Sequence, residues 1–357
     1  MDRPSRLGRR IAVLATVAGF VLVPTAAQAD TSFYESPLFG ITAKPNGVLL
    51  VADSGQGIVN GDTGALVAAL PAATDVAARA SGGLWATTSG DEGTQKLFFV
   101  QRGTITEVAD LGEFEERHNP HPDFVESNPF DVADLAGSAA VVADAAGNSL
   151  LMVRDSNNPS SDISSRVKVV AILPNELVST ANIKKIAGCP AGPPDICDLP
   201  PMIPAEPVAT SVAVGPDGAY YVGELKGFPA PKGESRVWRI EPDARNARCG
   251  QSPKCTVALD GFTSIIDLAF GPDGRLNVAQ LEDESWFALE FADGASAVGG
   301  SVHACNLATK ACQTVVDGVP MLTAIAYRGS RLWGTIWALV PEAAPPPFAA
   351  DVVPLTP

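Results

Sequence analysis

The chain has 357 residues, of which 46% are hydrophobic and 18% charged, and its formal net charge is −15. This composition is that of a globular protein rather than a disordered one, and the acidic balance excludes the cationic surfaces that bind nucleic acid or anionic lipid. The 33 glycines and 30 prolines fit a turn-rich all-β protein better than a helical one.

Residues 1–29 have the pattern of a secretory signal peptide. Arginines precede an apolar run at 11–23, and Ala27-Gln28-Ala29 forms an A-x-A cleavage site. A retained membrane anchor is the alternative, but the run is shorter than the ~20 residues that span a bilayer, and no later segment is long enough. We therefore expect a secreted protein cleaved near Ala29. Residues 1–29 hold four arginines and one aspartate, so their removal takes the formal charge to −18.

A β-hairpin unit recurs along the rest of the chain. The clearest copies, at 212–224 and 268–280, contain Gly-Pro-Asp-Gly, in which proline presets φ and the last glycine closes a tight turn. Together with 41–53 and three weaker copies, this makes six repeats of blade size. They predict one all-β domain at 30–340, a six-bladed β-propeller of the NHL or lactonase-like class, and a proline-rich C-terminal tail at 341–357. The repeats are anchored at Ile41, Val76, Val132, Val212, Leu268 and Ile325.

Several further segments complete this outline. The segment 33–39 is expected to supply an outer strand to the last blade and so close the ring. Helices are predicted at 111–118 and, within a long insertion at 174–207, at 179–186. The apolar run 286–289 is assigned to blade five. Whether Val352 and Val353 return as an edge strand is left open.

The six cysteines fall in three close sequential pairs. In an exported protein, such pairs predict local disulfides, two of which bracket the turns between outer strands. A zinc site is the alternative, but it would normally need a Cys-x-x-Cys pair, which the sequence lacks. The predicted bonds are Cys189–Cys197, Cys249–Cys255 and Cys305–Cys312.

Carboxylates recur at two equivalent positions of the repeats. In a propeller, the residue before each inner-strand anchor and the residue that ends the second strand reach the same mouth of the central channel. Clustered carboxylates need a cation, a proton or basic partners, and oxygen ligands favour Ca²⁺ or another divalent cation. The alternative is that these residues only shape turns. The predicted metal ligands are Asp131, Asp267, Glu224 and Asn128, and the other residues expected at the mouth include Asp53, Asp75, Asp144 and Ser211.

Other signals of catalysis are weak. The sequence has no Gly-x-Ser-x-Gly elbow and no phosphate-binding loop with lysine. We interpret His118, His121 and His303 as surface or packing residues. The tryptophans that recur in four blades are interpreted as inter-blade core.

Five segments of the chain carry a family resemblance. They are 114–116 (Phe-Glu-Glu), 119–120 (Asn-Pro), 127–130 (Ser-Asn-Pro-Phe), 207–229 and 261–274. These segments resemble the ScyD/ScyE family of exported propeller proteins, named for members associated with the synthesis of a cyanobacterial sunscreen pigment. The resemblance implies a six-bladed propeller akin to NHL-repeat proteins and implies no assigned reaction. The turns of blades one and six depart from the family's pattern, so the pigment role is not transferred.

Three functions follow as competing hypotheses, the third of which is a purely structural extracellular protein. The first is a secreted, monomeric binding module that holds an unknown protein or small molecule at a propeller face, with a divalent cation in the acidic mouth. The second is a metal-dependent hydrolase or lyase that resembles propeller lactonases, in which the metal would polarise a carbonyl and activate water. Fold alone does not decide between them.

Overall fold

The computed structural model describes residues 34–90, 93–136, 138–155, 166–340 and 348–356. Within these residues the chain forms six antiparallel sheets arranged as the blades of a propeller, as the sequence predicts. The predicted signal peptide lies outside the described residues.

The blades follow one another along the chain. Blades one and two consist of β1 (Leu38–Ala43), β2 (Leu49–Asp53), β3 (Gly57–Asn60) and β4 (Leu66–Ala69), then β5 (Ala73–Ala78), β6 (Leu84–Thr88), β7 (Lys96–Gln101) and β8 (Thr104–Asp110). Blade three has β9 (Pro129–Leu135), β10 (Ala139–Asp144), β11 (Ser149–Arg154) and β12 (Val167–Ile172).

The second half of the ring contains three further blades. Blade four has β15 (Ala209–Val214), β16 (Tyr220–Glu224), β17 (Ser235–Ile240) and β19 (Cys255–Phe262), and blade five has β20 (Ile265–Phe270), β21 (Leu276–Gln280), β22 (Gly300–Asn306) and β23 (Ala311–Val319). Blade six has β24 (Ile325–Arg328), β25 (Arg331–Ile336) and β26 (Asp351–Pro354). The short strand β18 (Ala247–Arg248) lies between β17 and β19 in the chain, but it pairs in parallel with β12 of blade three.

Helices occur only in the connections between strands of the described chain. The predicted helix at 111–118 is confirmed as α1 (Leu111–His118), whose N-cap Asp110 accepts a hydrogen bond from Glu113 N at 2.8 Å. The insertion after blade three contains the β13 (Glu176–Ser179) and β14 (Met202–Ala205) hairpin, α2 (Ala181–Ile186) and α3 (Pro194–Cys197). Its predicted helix is therefore confirmed as well.

The repeated turns have the predicted geometry. In blades four and five, Gly218 and Gly274 both adopt a φ of 77°, and each donates its N–H to the carbonyl of the first turn residue at 2.9 Å. A side chain would be strained at this φ, which is why glycine ends both turns.

Most of the core lies between consecutive blades. Trp85 of blade two packs against Val132 of blade three, and Trp238 belongs to the cluster between blades three and four. Similar clusters join blades one and two and blades four and five. Each blade thus buries its faces mainly against its neighbours, so the sheets are stable only as a ring.

The ring closes at the C-terminal end of the chain. Val352 and Val353 lie in β26, which pairs with β25 as the outermost described strand of blade six. The expectation that 33–39 forms this outer strand is wrong, because β1, which begins at Leu38, is the inner strand of blade one. Thr323 Oγ1 donates to Leu38 O at 2.6 Å, and Leu38 N donates to Ala338 O at 2.9 Å, so blade six is joined directly to blade one.

The assignment of residues 286–289 needs a correction. They lie in the connection between β21 and β22, where α4 (Phe287–Glu290) leads into a 3₁₀ turn (Phe291–Gly294), and the third strand of blade five is β22. Short apolar runs do not distinguish a strand from a buried helical turn by periodicity alone.

All three predicted disulfides are present, linking Cys189 to Cys197, Cys249 to Cys255 and Cys305 to Cys312. Disulfides persist in oxidising compartments, which is consistent with an extracellular protein. Among the described residues, no helix has the length and apolar character needed to cross a membrane.

Candidate functional site

The six positions before the anchors form a ring around the channel. Five of them lie on inner strands and the sixth directly precedes β24, and Gly40 approaches Asp75 so closely that a Cβ on Gly40 would be 2.0 Å from Asp75 Oδ1. Three of the six positions carry aspartate, and the other three carry small residues. In blade order the ring is Gly40, Asp75, Asp131, Ser211, Asp267 and Ala324.

The three aspartates each bind the next blade in the same way. Asp75 Oδ2 accepts the N–H of Val132 at 3.0 Å, and Asp131 Oδ2 accepts the N–H of Val212 at 2.6 Å. Asp267 Oδ2 accepts the N–H of Ile325, also at 2.6 Å. Each acceptor residue precedes the anchor of its own blade, and each donor is the anchor of the next. The aspartates therefore link blade two to three, three to four and five to six.

The aspartates also interact with one another. The carboxyl groups of Asp75 and Asp131 are close enough to influence each other's pKa, and they can hydrogen-bond to each other only when one of them is protonated. Burial, and next the charge of Asp131, raise the pKa of both Asp75 and Asp267 well above the usual range. Burial likewise raises the pKa of Asp131. A proton thus offsets part of the like-charge repulsion that the sequence analysis anticipated.

Two phenylalanines meet at the end of the channel above this ring. Phe39 and Phe130 immediately precede Gly40 and Asp131, and their ring centroids are 5.5 Å apart. Blades one and three are not neighbours, so this contact crosses the channel. Phe39 and Phe130 therefore link blades one and three directly.

Asp53 and Asp144 instead shape the ends of their own blades. Asp53 accepts the N–H groups of Glu35 and Gly55 at 2.8 and 2.9 Å. Asp144 accepts those of Asn128 and Gly147 at 2.7 and 2.8 Å. Both carboxylates close the turn after the second strand and fix the segment that enters the blade. This arrangement corresponds to the turn-shaping alternative.

Glu224 lies in a buried ion cluster. Its Oε1 is 3.0 Å from Lys226 Nζ, and its Oε2 accepts the indole N–H of Trp238 at 3.0 Å. Both charged side chains are fully buried. Burial raises the pKa of Glu224 to about 7, whereas Lys226 lowers it. Lys226 Nζ also donates to Glu176 Oε2 of the insertion at 2.5 Å, so the cluster joins the insertion to blade four.

The predicted metal ligands have different partners in the structure. Asp131 and Asp267 lie in the central ring, Glu224 faces Lys226, and the backbone of Asn128 binds Asp144. Over the described ranges, no three or more histidine, cysteine, aspartate or glutamate side chains are grouped so that they could hold a metal ion.

The insertion covers the face of the propeller that carries the inter-blade loops. Ile183 of α2 and Ile196 of α3 join an apolar cluster with Leu225 and Trp286. Asn182 Nδ2 donates to Glu284 O at 2.8 Å, and Lys185 Nζ lies 3.0 Å from Glu284 Oε2. These contacts fix the insertion over blades four and five. The sequence predicts a helix and a disulfide in the insertion but not its position over the propeller face. The one signal of that position is Lys226, a charged residue that follows Glu224 in a mainly apolar segment.

The outer side of the insertion exposes apolar side chains. Leu177 on β13 and Met202 on β14 are 66% and 48% exposed, and the register Ser179↔Met202 places them on one face of the hairpin. Asn175, which precedes the hairpin, donates from Nδ2 to Asp123 Oδ2, and Asp123 is followed in the chain by Phe124 and Val125. We call the surface formed by Phe124, Val125, Leu177 and Met202 the insertion face.

Solved structures share the fold at low sequence identity. A streptogramin B lyase aligns with a TM-score of 0.50 at 14% identity, over 85% of this chain and 78% of that one. A virginiamycin B lyase from Staphylococcus aureus aligns with a TM-score of 0.49 at 14% identity, over 85% of this chain and 79% of that one. A glucose dehydrogenase aligns with a TM-score of 0.52 at 10% identity, over 94% of this chain and 100% of that one. At these identities the likeness concerns the fold alone.

No family model and no curated protein matches this chain. The solved structures and the six-bladed architecture support the β-propeller fold, and relationship to the NHL and lactonase-like class stays a prediction. Membership of the ScyD/ScyE family stays a prediction.

Proposed function

We propose that this protein is an extracytoplasmic binding module that recognises its partner through the insertion face. The observation that carries the proposal is the exposure of four large apolar side chains on two segments that Asn175 and Asp123 join, with Phe124 and Val125 55% and 52% exposed. Exposed apolar groups of this kind, next to polar residues, are typical of protein interaction sites.

The insertion face is built on a fixed support. The β13–β14 hairpin is held from beneath by Lys226 and Arg236, which contact Glu176 at 2.5 and 2.6 Å. Ser179 N donates to Glu234 Oε1 at 3.1 Å, and the Cys189–Cys197 disulfide closes the loop between the two strands. A surface that is already ordered loses less conformational entropy on binding.

Site-specific photo-crosslinking in the producing cells tests this proposal. A photoreactive amino acid at Phe124 or Leu177 is expected to form a discrete adduct. The same amino acid at Leu66 or Ile105, which are 53% and 36% exposed on the outer strands of blades one and two, provides the matched controls. Equal adducts at all four positions, or adducts at the control positions alone, would contradict a binding role of the insertion face.

Cation binding in the channel, with metal-dependent hydrolase or lyase chemistry, is a second candidate. It is favoured by the closeness of three carboxyl groups on the inner strands, because the charge of Asp131 raises the pKa of both Asp75 and Asp267. The test is thermal melting with EDTA and with added Ca²⁺, Mg²⁺ or Zn²⁺, because a cation that binds the native state raises the melting temperature as its concentration rises. A rise in the wild type that Asp267→Asn abolishes supports this candidate, whereas no rise with any of the ions rejects it.

A further inference from the structure

A small cleft lies at the outer edge of blade three. It has a volume of about 190 Å³, and three segments that are distant in sequence, 121–123, 172–175 and 248–251, form its walls. Its polar lining consists of His121, Asp123, Asn175, Arg248 and Gln251, over an apolar floor that includes Leu173. The volume corresponds to about six water molecules, so a ligand would be smaller than a typical drug-sized molecule.

The strand exchange between blades creates this cleft. Ala247 and Arg248 of β18 pair with Ala171 and Ile172 of β12, and Cys249 N donates to Ile172 O at 3.0 Å. The Cys249–Cys255 disulfide then ties this segment back to blade four. The backbone that carries Arg248 and Gln251 is consequently fixed against blade three.

The cleft has hydrogen-bond donors on one side. Arg248 forms no ion pair with any carboxylate in the described part of the chain, although the protein is strongly acidic. A guanidinium group offers a planar fork of donors that matches a carboxylate. The amide of Gln251 lines the same wall.

A carboxylate lines the same cleft. Asp123 Oδ2 lies 3.9 Å from Nδ1 of His121, whose side chain is 7% exposed. Burial, opposed by Asp123 and assisted by Arg248, lowers the pKa of His121, so the imidazole is neutral at pH 7. The cleft therefore combines one cationic donor and one anionic acceptor across a small, partly apolar space.

We propose that this cleft binds a small monocarboxylate that carries a hydroxyl or ammonium group next to its carboxylate. The carboxylate lies on Arg248 and Gln251, the hydroxyl or ammonium group donates to Asp123, and the short apolar part contacts Leu173. This proposal does not rest on the insertion face binding a partner. The net charge of the protein repels anions in general, so saturable binding of one would be specific.

Calorimetric titration of the purified protein tests this assignment with four probes: lactate, alanine, propionate and inorganic sulfate. Lactate or alanine is expected to bind most tightly, and the comparison of the two distinguishes a hydroxyl from an ammonium group. Propionate lacks both groups and is expected to bind about tenfold more weakly or worse. Sulfate binding as tight as that of lactate would overturn the proposal, because it would show an anion site without the second group.

Three variants locate the binding. Arg248→Gln is expected to weaken the binding of all carboxylates about tenfold or more, since it removes the guanidinium group. Asp123→Asn is expected to weaken the binding of lactate or alanine and to leave the affinity for propionate unchanged. Arg331→Gln, which makes the same charge change on an exposed residue of β25, is the control. Absence of saturable binding, or equal affinity in wild type and Arg248→Gln with melting temperatures unchanged, would overturn the proposal.

Discussion

Asp75 and Asp131 are neighbours at the boundary between blades two and three, and each accepts a backbone N–H from the blade that follows its own. When one of the two carboxyl groups is protonated, they can share that proton in a hydrogen bond, which relieves their like-charge repulsion at this boundary.

The stability of the protein should consequently fall as the pH rises. The unfolded pKa of aspartate is about 3.9, and the folded pKa of Asp75 is raised well above its usual range. The folded state then holds more protons between these two values, so the stabilisation is full below the unfolded value and is lost as the pH rises through the folded one. Urea unfolding at about pH 5 and about pH 8 should show this decline.

Substitution of one member of the pair separates this effect from other titrations. Asp75→Asn retains an acceptor for Val132 N and supplies an amide donor for Asp131, so its stability should depend less on pH than that of the wild type. Asp260→Asn, on an exposed position of β19, is the control and should follow the wild type. An equally steep pH dependence in Asp75→Asn would exclude the shared proton as its cause.

Asp75 occupies the space in which a side chain on Gly40 would lie. In Gly40→Ala the new Cβ would lie 2.0 Å from Asp75 Oδ1 and 2.7 Å from Asp75 Cα, so the backbones of blades one and two would have to separate. We expect a loss of about 1–3 kcal/mol in the free energy of unfolding, as for overpacked cores. Gly227→Ala, where the nearest atom is 3.4 Å from the new Cβ, should be close to wild type in the same urea titration. Equal stabilities of the two variants would contradict the close approach.

Lys226 should be essential to the ion cluster beneath the insertion. Its removal in Lys226→Met leaves Glu224, which is fully buried, without its nearest cation, and breaking a buried pair in this way costs about 3–5 kcal/mol. Lys232→Met removes the half-exposed partner of Glu284 and should cost at most about 1 kcal/mol. Adding Glu224→Gln to Lys226→Met should recover part of the loss in denaturant unfolding. No recovery would mean that the cost does not come from the unpaired carboxylate.

The disulfide of the insertion should act locally. Replacement of Cys189 and Cys197 by serine removes a constraint worth about 2–3 kcal/mol for a loop of this length. The loss should appear as faster amide hydrogen exchange between β13 and β14, where the bond lies, with little change in blades one and two. The matched replacement of Cys305 and Cys312 should instead speed exchange in blade five. Uniform changes over all blades in both variants would contradict local action.

Much of the architecture was predictable because it depends on local signals. Gly218 and Gly274 mark turns by their backbone conformation, and cysteines six to eight residues apart pair across the ends of short loops. The ring of inner-strand residues followed from hairpin topology alone. These features require no knowledge of which distant segments meet.

The partners of the candidate site residues could not be predicted in the same way. Asp131 and Glu224 both end or begin strands at the same face, but Asp131 binds the next blade and Glu224 binds Lys226. Their surroundings differ because the long insertion places Glu176 beside Lys226. Arg248 reaches its cleft only because β18 leaves its own blade, and no pattern in the sequence announces that exchange.

The exchange of β18 also affects how the protein is made. Blade three is completed by Ala247 and Arg248, which emerge from the ribosome only after the insertion and most of blade four. Until then the outer edge of β12 presents unpaired backbone groups, which are sites of mispairing in a nascent chain. Because the segment that covers the edge of blade three lies within blade four, we expect these two blades to complete their folding together.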